Sequence, residues 1–114
     1  MEEAMALRHA VSGEVIDLNN PGQNVADDVS TALFRTDDIE VLRRVLQPGQ
    51  SVPSHEVNGD ITMQCLSGKF KLHVHGKIQA VNVGQLVYIA ACEPYSLEGE
   101  EETVVLMTIV RTRE

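Results

Sequence analysis

The sequence predicts a single all-β domain, a sandwich or barrel of short strands. The first observation behind this is a regular series of turn signals: Asn19-Asn20-Pro21-Gly22, Pro48-Gly49, Asn58-Gly59, Ser67-Gly68 and Gly76-Lys77. The second is the set of runs between them, rich in β-branched and apolar residues. The third is that no long helical period survives anywhere between the turns.

In chain order the runs are GEVIDL, TALFRT, IEVLRRVL, DITMQCL, KFKLHVH, KIQAVNV, QLVYIA and TVVLMTIV. Eight or nine strands at this spacing fit a sandwich or barrel. KFKLHVH alternates most cleanly, with Phe70, Leu72 and Val74 on one face and Lys69, Lys71, His73 and His75 on the other. Such a strand is half buried, with one wet face. The acidic run Glu98–Glu102 reads as a solvated hairpin tip. Residues 1–12 form an N-terminal segment, a short helix or disordered, and residues 13–114 form the barrel domain. Neither a repeat nor a linker interrupts it.

Composition narrows the function. A chain of 114 residues can bury one core with little surplus, so self-association would add useful stability. The net charge of −8, from 9 basic and 17 acidic residues, has the wrong sign for phosphate backbones or anionic membrane surfaces. Neither nucleic acid nor membrane is therefore an expected partner. The two cysteines, Cys65 and Cys92, form no disulfide framework, and they read as packed thiols in a reducing compartment. The N-terminal MEEAMALRHAV has no basic leader, and the apolar stretch Val104–Val110 is too short to span a bilayer. The expected location is the cytoplasm.

From Gly49 onward the sequence resembles the cupins. PGQSVPSHEVNGDITMQCLSG follows the first cupin motif, which runs Gly, five residues, His-x-His, three or four residues, Glu, six residues, Gly. Gly49, His55 and Gly68 match it. The second motif, Gly, five residues, Pro-x-Gly, two residues, His, can be laid on GQLVYIAACEPY, with Gly84 as its glycine and Tyr95 where its histidine would stand. With the flanking strands the pattern covers roughly residues 30–110. It implies a cupin β-barrel, the double-stranded β-helix or jelly roll of the small single-domain RmlC-like, conserved-barrel type. Glycines and strand spacing carry the likeness, so it speaks for fold more than for activity.

In a metal-binding cupin the paired histidines share one strand face, and a glutamate and a later histidine complete the site. Here only the first ligand, His55, stands in place. Val57 replaces the second histidine, Ile61 falls at the glutamate and Tyr95 replaces the last histidine. Asp60 precedes the glutamate position by one residue, which on a regular strand turns it to the other face unless a bulge intervenes. No metal and no other cofactor is expected, His55 being the one residual metal candidate. His73 and His75 form a literal His-x-His but belong on the outer face.

By alternation from His55, the inward set is Val57, Ile61, Met63 and Cys65, joined by Phe70, Leu72 and Val74. With Tyr95 and His55 as polar points, His55, Val57, Ile61, Met63, Cys65 and Tyr95 are the candidate ligand-binding residues, for a small molecule that the sequence does not identify. His55 and Tyr95 are expected to face each other across the barrel. Three readings stay open. One is a metal-free small-molecule-binding or regulatory barrel. Another is an enzyme: a metal-dependent dioxygenase or isomerase with an unusual ligand set, or a metal-free acid-base isomerase in which His55 takes a proton and Tyr95 gives one, as the histidine-tyrosine pair of cupin-fold sugar-nucleotide epimerases implies. The third is a filled barrel with a purely structural role. GEVIDL and TALFRT could pair across a two-fold axis to cover an edge, so a homodimer is expected.

Overall fold

A computed structural model describes residues 10–18, 30–55 and 57–111, with the side chains of residues 54 and 55 outside that description. Those residues form nine strands: β1 (Thr31–Arg35), β2 (Ile39–Leu46), β3 (Ser51–His55), β4 (Ile61–Ser67), β5 (Lys69–Val74), β6 (Lys77–Asn82), β7 (Leu86–Ile89), β8 (Tyr95–Gly99) and β9 (Thr103–Val110). They make two antiparallel sheets, ordered β1-β2-β9-β4-β7 and β3-β8-β5-β6. From β2 onward the chain changes sheet at every connection except β5 to β6. This shuttling is the double-stranded winding of a jelly roll, as expected.

Seven of the eight runs become strands. GEVIDL does not: residues 11–14 close a turn instead, in which the Glu14 amide donates to the Val11 carbonyl (3.0 Å) and the Val11 amide to the Glu14 carboxylate (3.1 Å). Beyond it the segment lies against the barrel, where the Leu18 carbonyl accepts from Arg43 Nε (3.1 Å). Two strands escape a reading by composition. Pro53 obscures β3, and β8 alternates Tyr95, Leu97 and Gly99 inward against polar neighbours in a run only five residues long.

Local chemistry sets the connections. The β1–β2 turn closes on Thr36, whose hydroxyl accepts from the Asp38 and Ile39 amides at 3.0 Å each. Between β5 and β6 the turn residues are His75 and Gly76, both with positive φ (55° and 71°), and Val74 pairs with Lys77 across them. Two such residues define the twist-matched hairpin turn. From β4 to β5 the chain changes sheets at Gly68, whose φ is 80° and where a Cβ would strike the Glu102 carbonyl and Thr103. Residues 98–102 likewise end β8 in one sheet and lead into β9 of the other, so this tip is an intersheet corner rather than the expected hairpin.

The core lies between the sheets. Ile61, Met63, Cys65, Phe70, Leu72 and Val74 are all buried there, which is the predicted alternation, and Leu46, Leu97, Val105 and Met107 complete it. The outward histidines also stand where expected: His73 is partly exposed, and His75 is exposed, its Nε2 2.7 Å from a Glu93 carboxylate oxygen.

Candidate functional site

A cleft of about 360 Å³ opens at one end of the space between the sheets. Leu42 and Arg44 reach it from β2, Val52 and Pro53 from β3, Tyr95 and Leu97 from β8, and Met107 and Ile109 from β9, with Val57 at the rim. Among the described residues its walls are apolar apart from Arg44 and Tyr95, and its volume sits at the small end of the roughly 300–1,000 Å³ usual for ligand sites.

Strand periodicity places each group. Leu42 pairs with Met107 and Arg44 with Val105, so Leu42, Arg44 and Leu46 share the inner face of β2. Arg43 faces outward and is covered, in part by Leu18. Two adjacent arginines on a strand must take opposite faces, and this is the signal that could have found Arg44 in the sequence. Alternation alone does not say which of the two arginines enters. Among the described residues the Arg44 guanidinium has no hydrogen-bond or ion-pair partner. Tyr95 is buried, and that burial pushes its phenol above the ordinary value of 10, while the positive charge of Arg44 pulls the other way.

Of the six candidate binding residues, Val57 and Tyr95 line the cleft. Ile61, Met63 and Cys65 lie deeper, fully buried in the core and not among the lining residues. Burial also pushes the Cys65 thiol above its usual 9, partly offset by a backbone hydrogen bond at Ser67. His55 belongs to β3 by its backbone, and its side chain lies outside the described residues. Its backbone partner is Tyr95 on the adjacent strand β8. The two positions therefore sit side by side in one sheet rather than across the barrel. The reason is topological, since β3 and β8 are neighbours in the four-stranded sheet.

The positions of the metal ligands can be tested by their chemistry. Val57 and Ile61 carry no donor atom, and Ile61 is buried in the core. Asp60 does not replace the glutamate: it is exposed, and its Oδ1 accepts from the Ala91 amide (3.0 Å), tying two loops together. Among the described residues no group of three or more His, Cys, Asp or Glu could hold a metal ion. The residues present do not fit the metal of the cupin motif.

Cys92 is exposed, not packed as expected, and has a φ of 66°. It stands where the second motif has the glycine of Pro-x-Gly, so the left-handed turn is kept without glycine. The Cys92 amide donates to the Val57 carbonyl (2.8 Å), which fixes the rim of the cleft. A second hollow of about 350 Å³ lies between β6 and β7, lined by Leu72, Val81, Val87 and polar edge residues such as Gln79 and Gln85.

No protein-family model matches the chain, and no curated protein matches it. Solved structures do. A conserved protein of unknown function from Streptococcus pyogenes, SPY1581, superposes with a TM-score of 0.77 at 22% identity over 96% of each chain. A cupin superfamily protein from Desulfitobacterium hafniense gives 0.77 at 16% identity, over 93% of this chain and 98% of that one. The cupin domain of an XRE-family transcriptional regulator from Enterobacter cloacae gives 0.62 at 18% identity, over 75% and 97%. At these identities the likeness is one of fold, and the fold is that of a small cupin domain.

Proposed function

We propose that this small cupin domain is a metal-free binding module, which holds a small, partly apolar molecule in its cleft without transforming it. The carrying observation is the cleft itself, apolar among the described residues apart from Arg44 and Tyr95. The donor-free Val57 and Ile61 support the metal-free part of the reading. The regulatory form draws on the Enterobacter cloacae neighbour, in which this fold is one domain of a transcriptional regulator.

The test is elemental analysis of untagged protein with His73 and His75 replaced, followed by small-molecule screening with and without chelator. Binding that survives chelation and is lost in a cleft-filling Leu42→Trp variant supports the proposal. A stoichiometric metal, or binding that vanishes with chelator, overturns it.

Acid-base catalysis is the second reading, and one observation favours it: Tyr95 is a buried phenol kept in its proton-bearing form, with His55 as its backbone neighbour. Turnover of any isomerisable compound that stops in Tyr95→Phe while binding persists would favour this over pure binding.

We also propose a homodimer. The sheets end in edge strands, and Leu86 and Tyr88 on the edge strand β7 are 65% and 62% exposed. Among the described residues no helix is long and apolar enough to cross a membrane. With both thiols free, we assign the protein to the cytoplasm, and with a net charge of −8 we assign it neither nucleic acid nor membrane as a partner.

A further inference from the structure

We propose, building on the binding reading above, that the cleft selects a small organic carboxylate, with Arg44 holding the carboxylate and the apolar walls holding a short branched or flat tail. Among the described residues, Arg44 is the one lining residue with a permanent charge. It is partly buried in a cleft that Leu42, Val52, Val57, Met107 and Ile109 also line, and among the described residues no hydrogen bond or ion pair meets it. A cation drawn partly out of water against apolar walls is costly unless an anion or acceptor meets it. The chain carries 17 acidic residues, yet among the described ones none meets the Arg44 guanidinium. Arg44 lines a hollow that could admit a carboxylate from outside.

The guanidinium fork matches a carboxylate in a bidentate pair, and a lysine in its place would not reproduce that geometry. Phosphate fits less well. It brings up to two negative charges and several acceptor oxygens, whereas the other described lining residues, Tyr95 excepted, are apolar and provide no further side-chain donor. A neutral ligand could offer Arg44 an uncharged acceptor but would leave its charge uncompensated. The small cleft limits the tail to a few carbons or one ring.

The experiment uses matched pairs: 4-methylpentanoate and 3-phenylpropanoate against their primary amides, with inorganic phosphate as a further arm. Each is titrated into the parent, Arg44→Gln and Arg44→Lys at neutral pH, with calorimetry and the methyl resonance of Met107 as readouts. The expected result is that at least one acid binds at least tenfold more tightly than its amide and shifts the Met107 signal. Arg44→Gln should abolish that preference, and Arg44→Lys should recover only part of it. The comparison of acid with amide in the parent decides the matter even if the Gln variant does not fold. Equal binding of acid and amide, or tighter binding of phosphate, overturns the carboxylate inference while leaving the cleft a binding site. No Met107 response to these acids overturns the inference. If a wider panel of neutral molecules also leaves Met107 unmoved, the binding reading fails with it.

Discussion

At Gly68 and Cys92 the backbone makes the same demand on two different residues. Both have positive φ, 80° and 66°, which costs a residue with a Cβ about 1–2 kcal/mol. At Gly68 a Cβ would also run into the Glu102 carbonyl and Thr103. Gly68→Ala should therefore destabilise by about 2 kcal/mol or more, read as a lower urea midpoint. Cys92 is exposed, so relief of its backbone should outweigh the loss of a 3.5 Å contact between its thiol and the Asn58 side chain. Cys92→Gly is expected to raise stability by about 0.5–1 kcal/mol, and a loss of stability would show that the thiol contact matters more than the backbone. The two raised acid groups predict a pH dependence. Burial holds the Cys65 thiol above 9 and the Tyr95 phenol above 10, so in alkali the unfolded chain loses these protons before the folded chain does. The unfolded state then binds fewer protons, and stability must fall as pH rises. Denaturation midpoints should be flat with respect to these groups below about pH 9 and decline above it. The decline should be shallower in Cys65→Ala, and an unchanged slope would remove Cys65 from the account.

Among the elements, the corner joining β4 to β5 depends on a side chain distant in sequence. Thr103, at the start of β9, is fully buried, and its hydroxyl accepts from the Lys69 amide at 3.1 Å. The same oxygen lies 2.7 Å from the Glu101 carbonyl and 2.9 Å from that of Lys69, so its single proton serves one of them. Thr103→Val keeps the shape but leaves the Lys69 amide unmet, at a cost of about 1–3 kcal/mol. Thr103→Ser keeps the hydroxyl and should lose less. A larger loss in Thr103→Ser than in Thr103→Val, measured by urea denaturation, would show that the methyl group rather than the hydrogen bond secures the corner.

For the whole molecule, the outward face near β7 is an edge that carries two large exposed apolar side chains, Leu86 and Tyr88. Leu86 pairs with Gln64 and Tyr88 with Thr62 on β4, and all four belong to the outer side of the five-stranded sheet. If this surface closes a homodimer, light scattering at micromolar concentration should give twice the chain mass. Paired Leu86→Asp and Tyr88→Asp changes should halve it without unfolding the barrel, because neither side chain belongs to the core. A parent that is monomeric under these conditions ends the dimer proposal. A dimer should also show a thermal midpoint that rises with protein concentration.

Much of this architecture was legible in the residues alone, because strand periodicity and turn chemistry are local. The alternation of Phe70, Leu72 and Val74, the inward run Ile61, Met63 and Cys65, and the glycines at 49, 68 and 84 all follow from neighbours in the chain. So does the loss of donor atoms at positions 57 and 61. What needed the tertiary structure was every choice made by a distant partner. GEVIDL has the composition of a strand but closes a turn at residues 11–14 instead of joining a ladder. His55 and Tyr95 are neighbours, not opposites, because β3 hydrogen-bonds to β8. Alternation requires the two arginines of β2 to part, but only pairing with β9, and the sheet packed beneath it, sends Arg44 into the cleft and Arg43 outward. Side-chain period is a property of one strand, whereas register and sheet order are set by contacts tens of residues apart, and the chemistry of the cleft depends on both.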